Sequence, residues 1–338
     1  MTVTARGPGR VNLIGEHTDY NEGLALPFAI ARGVTVTATE IPQGIEAEAR
    51  DLDDRDAFPL DNRDPSTGWR AFVRGMVAEL QAAGYALKPA RLTIEGDLPQ
   101  GSGLSSSAAL STALALALIG LAGAEPPEDR RDLAKLCSRV ENEWVGQKTG
   151  LLDKFAALLG SGGHALRIDF KTLEATPVPL DLGDWKLVTV ESGASHTLAA
   201  SGYNERRAEC QAACEILGVG SLREAQDLSP LEGALLKRAR HVVTENRRVE
   251  ETVQALTDHD LERVGELLDA SHRSLRDDYE ASVPEVEATV TRLKQQGAAG
   301  ARMVGGGFGG SVLALLRPGA PLPAGAIAVT PGPPAALV

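Results

Sequence analysis

The chain has 338 residues, enough for two domains or one large one with a well-buried core. Hydrophobic residues make up 43% and charged residues 24%, which excludes a disordered, collagenous or fibrous chain. With 34 Lys and Arg against 46 Asp and Glu, the net charge of −12 provides no basic field, so neither nucleic acid nor a membrane surface is an expected partner. The three cysteines, Cys137, Cys210 and Cys214, have the spacing of neither a zinc site nor a disulfide framework. Together with an N-terminus that lacks the apolar stretch of a signal peptide, they point to a reducing cytoplasm.

In chain order, residues 34–41 read as a strand, the acidic run 51–64 as a solvated loop, and residues 91–94 as a second strand. The longest apolar run, 108–124, carries Ser111, Thr112 and Gly120 and is shorter than the roughly 20 residues of a membrane span, so it reads as a buried helix over 108–121. A helix over 133–144 and a strand over 166–170 follow. The Pro-containing polar stretch 172–184 precedes a fresh apolar strand at 186–190, and the domain junction is placed there: 1–182 and 183–338. Helices are expected over 203–217, 231–256, 261–271 and 283–296. A strand at 312–316 follows, and the Pro/Gly-rich tail from Pro318 is irregular except for a short strand at 327–329.

The strongest local pattern is Pro99-Gln100-Gly101-Ser102-Gly103-Leu104-Ser105-Ser106-Ser107-Ala108-Ala109, between a strand and the apolar helix. Gly101 and Gly103 permit positive φ and close backbone approach, and the helix start offers free N–H groups and a positive dipole end to phosphate. An ordinary loop with a serine cap is the plainer alternative. There is no Walker A motif, because Gln147 precedes Lys148 where that motif needs glycine. The run Gly305-Gly306-Gly307-Phe308-Gly309-Gly310 satisfies G-x-G-x-x-G but leads into a strand instead of a helix, which excludes a dinucleotide fold. Its glycines fit either a backbone packed against a ligand or a tight hairpin.

Residues 9–21 pack Arg10, Glu16, His17, Asp19 and two asparagines between apolar flanks. Such a cluster is either a solvated loop or a binding site, and carboxylates with an imidazole suit sugar hydroxyls, which donate and accept together. Asp153 begins an apolar helical segment, where a cap is the modest reading. Glu141 flanks the buried stripe of its helix, and Cys210 and Cys214, one turn apart, read as small core residues.

Taken together, residues 9–30, 99–109 and 300–310 resemble the three signature motifs of the GHMP kinases, the first of them the sugar signature of the galactokinases. Residues 201–210 resemble a further segment of that branch. The resemblance implies two α/β (α+β) domains, the first with a left-handed β-α-β unit and the second ferredoxin-like, with the active site between them. It implies a cytoplasmic, monomeric enzyme that uses ATP and Mg2+ to phosphorylate α-D-galactose at C1. A related kinase for N-acetylgalactosamine or arabinose, or a non-catalytic sugar sensor, is the alternative. On that resemblance Glu16, His17, Asp19, Gly150, Asp153 and Tyr203 contact the sugar, with Asp153 and Arg10 catalytic. Gly101, Ser102, Gly103, Leu104, Ser105, Ser106 and Ser107 wrap the ATP phosphates, and Trp69 and Phe72 line the adenine pocket. Ser107 and Glu141 hold magnesium, while Gly305, Gly306, Gly307 and Gly309 shape the site. One departure stands out: Lys154 follows Asp153 where the family usually has glutamine. That extra cation favours the ionised form of Asp153 if the side chains approach.

Overall fold

The structure, a computed structural model, describes residues 1–99, 103–147, 149–194 and 199–338, without the side chains of 199–201. The first half runs β1 (Thr2–Asn12), β2 (Leu24–Ala25), β3 (Pro27–Glu40), β4 (Ile45–Ala49), β5 (Asp54–Phe58), α1 (Gly68–Ala82), β6 (Ala90–Gly96), α2 (Ser106–Ala122), α3 (Arg130–Arg139), α4 (Leu152–Leu159), β7 (His164–Asp169) and β8 (Glu174–Pro179). The second runs β9 (Lys186–Glu191), α5 (Ala199–Leu217), α6 (Gly233–Thr257), α7 (Leu261–Asp277), α8 (Pro284–Gln295), β10 (Ala298–Met303), β11 (Ser311–Leu316), β12 (Ile327–Val329) and β13 (Ala336–Leu337). The result is a mixed α/β protein.

A six-stranded sheet, ordered β13-β1-β3-β6-β4-β5, carries the first half. Its pairs are antiparallel except β4 with β6. Alternation along β3 buries Val34, Val36 and Ala38, while Thr37 and Thr39 face the hydroxyls of Thr4 and Thr2 across the pair. Against the buried face lies α2, apolar on every side. Ser111 and Thr112, both buried there, satisfy their hydroxyls by donating to carbonyls one turn back. A four-stranded sheet, β10-β11-β9-β12, carries the second half, and β2-β7-β8 forms a third sheet. One apolar cluster joins the halves, with Val11, Leu13 and Ile14 at the end of β1 meeting Val264, Leu267 and Leu313. The chain end also returns to the first sheet, where β13 pairs with β1.

Four expectations need correction. The acidic run is not only a solvated loop: Asp54–Phe58 forms the edge strand β5, whose Asp54 and Asp56 pair with Arg70 and Arg74 of α1. Charge at an edge strand is compatible with pairing on one side only. The helix expected over 133–144 ends at Arg139 and continues as a π-helical turn, Val140–Val145. The polar stretch 172–184 contains β8, and the tail contains β13.

Two backbones touch where α7 crosses β10. A Cβ added to Gly300 would lie 2.0 Å from the Gly265 carbonyl oxygen, and backbone cannot move aside cheaply. Gly300→Ala is therefore expected to lower stability by about 1–3 kcal/mol or more, read as a lower urea midpoint at unchanged m.

Candidate active site

Arg10 is aimed by a bulge. The β1–β3 register shifts between Pro8 and Arg10, which turns the strand beyond it, and the Arg10 N–H donates to the Leu104 carbonyl at 3.0 Å. The guanidinium then reaches Asp153 with two bonds, Nε to Oδ1 at 2.6 Å and Nη2 to Oδ2 at 2.9 Å, while Nη1 donates to the Gly103 carbonyl at 2.7 Å. This fork-to-fork geometry fixes the carboxylate in plane. Asp153 is not the cap of α4, whose N-cap is Leu151, but sits in its first turn, where the dipole favours a negative charge. Burial alone would raise its pKa; Arg10, Lys154 and the Ser105 hydroxyl outweigh that and hold it below the usual carboxylate range. Asp153 is therefore ionised at neutral pH.

Ser105 is the residue before α2, in a left-handed conformation at φ 63°, and its hydroxyl donates to Asp153 Oδ2 instead of capping the helix. No side chain caps α2, although a serine there would ordinarily stabilise it by about 1 kcal/mol. The capping alternative thus fails, and the start of the helix keeps its capacity for an anion. Ser106 is exposed and Ser107 half-buried on that first turn. Gly101 and Ser102 lie outside the described residues.

A cavity of about 480 Å3 is lined by Asp19, Tyr20, Asn142, Thr149, Gly150 and Arg207 among others; Arg10 and Asp153 do not line it, but Leu151, two residues before Asp153, does. Burial pushes the Asp19 carboxyl up to about 6, against the Tyr20 backbone N–H and with Asp153 and Glu16 adding repulsion. Gly150 is pressed on it: a Cβ there would lie 1.8 Å from Asp19 Oδ2. Glu16 is 6% exposed and held by the buried Arg302, whose Nη2 is 3.0 Å from Oε1, and by the Gly305 N–H at 2.8 Å. Arg302 also donates to the carbonyls of Asn12 and Leu13, so it ties β10 to the end of β1.

His17 belongs to a polar aromatic cluster. Its Nδ1 lies 2.9 Å from the Tyr20 hydroxyl, which lies 2.7 Å from that of Tyr279, and the ring packs 5.4 Å from Tyr203 and 4.6 Å from Tyr279. Burial lowers the His17 pKa to about 3, so the imidazole is neutral, and its buried Nε2 makes no hydrogen bond of good geometry within the protein. The third glycine run is the β10–β11 hairpin connection and a wall of this site at once, through Gly305 on Glu16 and Gly306 beside Tyr203. Gly307 and Gly309 complete that turn.

Of three further sequence-selected positions, Trp69 and Phe72 stand apart from this cluster, while Glu141 reaches it through Thr149 and Lys154. Phe72 is buried in the core of the first sheet, and the Trp69 indole donates to Asp54 at 3.0 Å. Glu141 is not a boundary glutamate: it is 1% exposed, and its Oε2 accepts from the fully buried Lys154 ammonium and, at 2.7 Å, from the Thr149 hydroxyl. With a buried cation already on it, Glu141 Oε2 is not free for a magnesium ion. No cluster of three or more His, Cys, Asp or Glu side chains suited to a metal ion occurs among the described residues. Sequence reasoning missed Arg302, Tyr279 and Arg207. Arg302 lies inside the third motif, where a charged residue within a strand could have signalled a buried partner. Tyr279 sits in a run with no motif.

A model of the GHMP kinases N terminal domain matches residues 71–161 and one of the GHMP kinases C terminal region matches 252–324. The fold is also that of a mevalonate kinase from Methanococcus jannaschii, at a TM-score of 0.69 and 19% identity over 94% of this chain and 90% of the other. The uncapped start of α2, the part-buried Arg10–Asp153 pair and these matches define a small-molecule kinase of the GHMP class.

A galactokinase galactose-binding signature matches residues 2–40. A galactokinase of Thermotoga maritima is 41% identical over 325 residues, covering 94% of this chain and 90% of that protein. One of Mycobacterium bovis is 44% identical over 94% of this chain and 89% of its own length. A Lactococcus lactis galactokinase solved with galactose superposes at a TM-score of 0.90 and 32% identity, over 99% of this chain and 95% of that one. The chain belongs to the galactokinase family. Kinase membership implies the use of ATP.

Proposed function

We propose that this chain transfers the γ-phosphoryl group of ATP to the anomeric hydroxyl of α-D-galactose, giving galactose 1-phosphate and ADP. The observation that carries the reading is the in-plane Arg10–Asp153 pair, set between the uncapped start of α2 and the Asp19–Gly150 cavity. Phosphoryl transfer asks the protein mainly for positioning and charge stabilisation. The loop around residues 101–107 holds the phosphates through backbone N–H groups and the α2 dipole. Asp19, Glu16, neutral His17, Gly150 and Tyr203 orient the sugar, and Trp69 marks the adenine side.

Among the described residues Asp153 Oδ1 accepts only the Arg10 Nε bond, which leaves a lone pair for the C1 hydroxyl. Its low pKa makes it a weak base, suited to orienting that hydroxyl and taking its proton late, once the phosphoryl group has largely left ADP. Arg10 shares its charge between Asp153 and the oxygens in transit. Residues 1–182 supply the phosphate loop and most sugar contacts, 183–338 supply Tyr203 and the third glycine run, and the enzyme acts as a cytoplasmic monomer. A coupled ADP assay with galactose, glucose, N-acetylgalactosamine, arabinose and mevalonate side by side tests the reading. Turnover is expected with galactose well above the others, and a preference for another acceptor would overturn it.

Asp19 gives the pH dependence. With a native pKa near 6 and an ordinary carboxylate value when unfolded, it binds more protons in the native state between about pH 4 and 6, so its contribution to stability falls as pH rises through that window. Its ionised form is the one that accepts from sugar hydroxyls. The kcat/KM for galactose is therefore expected to fall about tenfold per unit below pH 6. Asp19→Asn should raise stability at pH 7 by about 1–2 kcal/mol, since the carboxylate is only partly exposed, while raising the galactose KM at least tenfold. A pH–rate profile and thermal melts check both.

A further inference from the structure

Lys154 is a buried charge to which the proposed reaction gives no direct contact. An ammonium with no solvent exposure is tolerated only with a close counter-charge and satisfied donors. Its Nζ donates to Glu141 Oε2 and, at 2.9 Å, to Thr149 Oγ1, whose hydroxyl donates to the same carboxylate oxygen. The Thr149 N–H donates in turn to Asn142 Oδ1 at 3.0 Å. The pair thereby closes three segments on one another: the π-helical turn bearing Glu141, the loop bearing Gly150, and the first turn of α4 bearing Asp153. A divalent ion on the same carboxylate would sit a few ångströms from the ammonium, and two cations sharing one buried anion repel strongly.

We propose that Lys154 is a built-in cation at Glu141, taking the place that the family resemblance gives to magnesium at that carboxylate. Lys154 is a positioning residue: with Glu141 and Thr149 it holds residues 149–153, and a metal arriving with the nucleotide would be held without Glu141. This rests on the kinase reading above. The resemblance by itself implies the opposite, a carboxylate whose loss weakens metal binding.

The test is Mn2+ binding in the presence of ADP, followed by the loss of the free-ion EPR signal, for the wild type, Glu141→Gln, Lys154→Met and Lys154→Gln. Glu141→Gln is expected to bind Mn2+ within about threefold of the wild type, and both Lys154 variants are expected to tighten it at least tenfold by freeing the carboxylate. A tenfold or greater loss in Glu141→Gln overturns the proposal, as does the absence of any gain in a folded Lys154 variant. Circular dichroism reports folding. Should Lys154→Met unfold, Lys154→Gln keeps a donor to Glu141, and the comparison of Glu141→Gln with the wild type decides by itself. Absence of ADP-dependent Mn2+ uptake in every protein would overturn the kinase reading and this proposal together, whereas Glu141-dependent uptake overturns this one alone.

Discussion

Asp153→Asn is expected to lower kcat by roughly 10²- to 10⁴-fold while the galactose KM moves little. The carboxylate touches the reacting hydroxyl, on the reading above, and its charge matters most once that hydroxyl begins to lose its proton. An amide preserves shape and one acceptor oxygen but supplies neither charge nor basicity. It also presents an NH2 group where Arg10 needs an acceptor, so the guanidinium, 10% exposed, keeps only part of its pairing. Removing one partner of a well-buried pair costs about 3–5 kcal/mol. Because the Asp153 side chain is 23% exposed and one hydrogen bond survives, a loss of about 1–3 kcal/mol is expected here. Steady-state kinetics and a urea titration of the same preparation separate the two effects. Near-native turnover in a folded variant would remove Asp153 from the chemistry.

Gly150→Ala is expected to act on binding and scarcely on folding. The added methyl would collide with the Asp19 carboxylate, 1.8 Å from Oδ2 and 2.8 Å from Cγ, and no backbone atom lies nearer than 3.5 Å. Asp19 can yield by rotating its side chain, so stability should change by less than about 1 kcal/mol, within the range of substitutions that the surroundings absorb. The rotated carboxylate then points away from the sugar position, and the methyl occupies cavity space. A 10- to 100-fold rise in galactose KM is expected, equivalent to about 1.4–2.7 kcal/mol of lost binding, with kcat within about threefold of the wild type. Unchanged KM would separate Asp19 from sugar recognition. A large drop in melting temperature would assign Gly150 to folding.

The contrast between what was legible in the sequence and what was not follows the range of the interactions. Arg10, the glycine–serine loop and residues 305–310 were visible because each encodes a local requirement: an ion among apolar neighbours, a backbone free of side chains, or a helix start with its N–H groups bare. Asp153 is selected by its local pattern only as a possible cap and by the family resemblance as catalytic with Arg10; the approach of β1 to α4 is what makes the two a bidentate pair. Burial of Glu141 could not be read from its helix, because it depends on Lys154, 13 positions away across a loop, and on a π-helical turn that rotates the last residues of an apparently regular helix. The edge strand β5 was hidden for a similar reason. Its alternating Asp-Arg-Asp reads as solvated until α1 brings Arg70 and Arg74 against it. Arg302 and Tyr279 reach the site from β10 and from just beyond the end of α7, and no local pattern announces a contact some 280 residues away, such as that of Arg302 with Glu16.

The central claim is that the cavity lined by Asp19 and Gly150 presents the anomeric oxygen of galactose to the γ-phosphate of ATP. Phosphorus-31 and proton NMR of the reaction of the purified protein with galactose and ATP tests it most directly. The account predicts one new phosphomonoester resonance, growing in step with ADP and coupled to the anomeric proton of an α-linked product. A phosphate coupled to any other sugar proton, or hydrolysis of ATP to free phosphate with galactose unchanged, would contradict it.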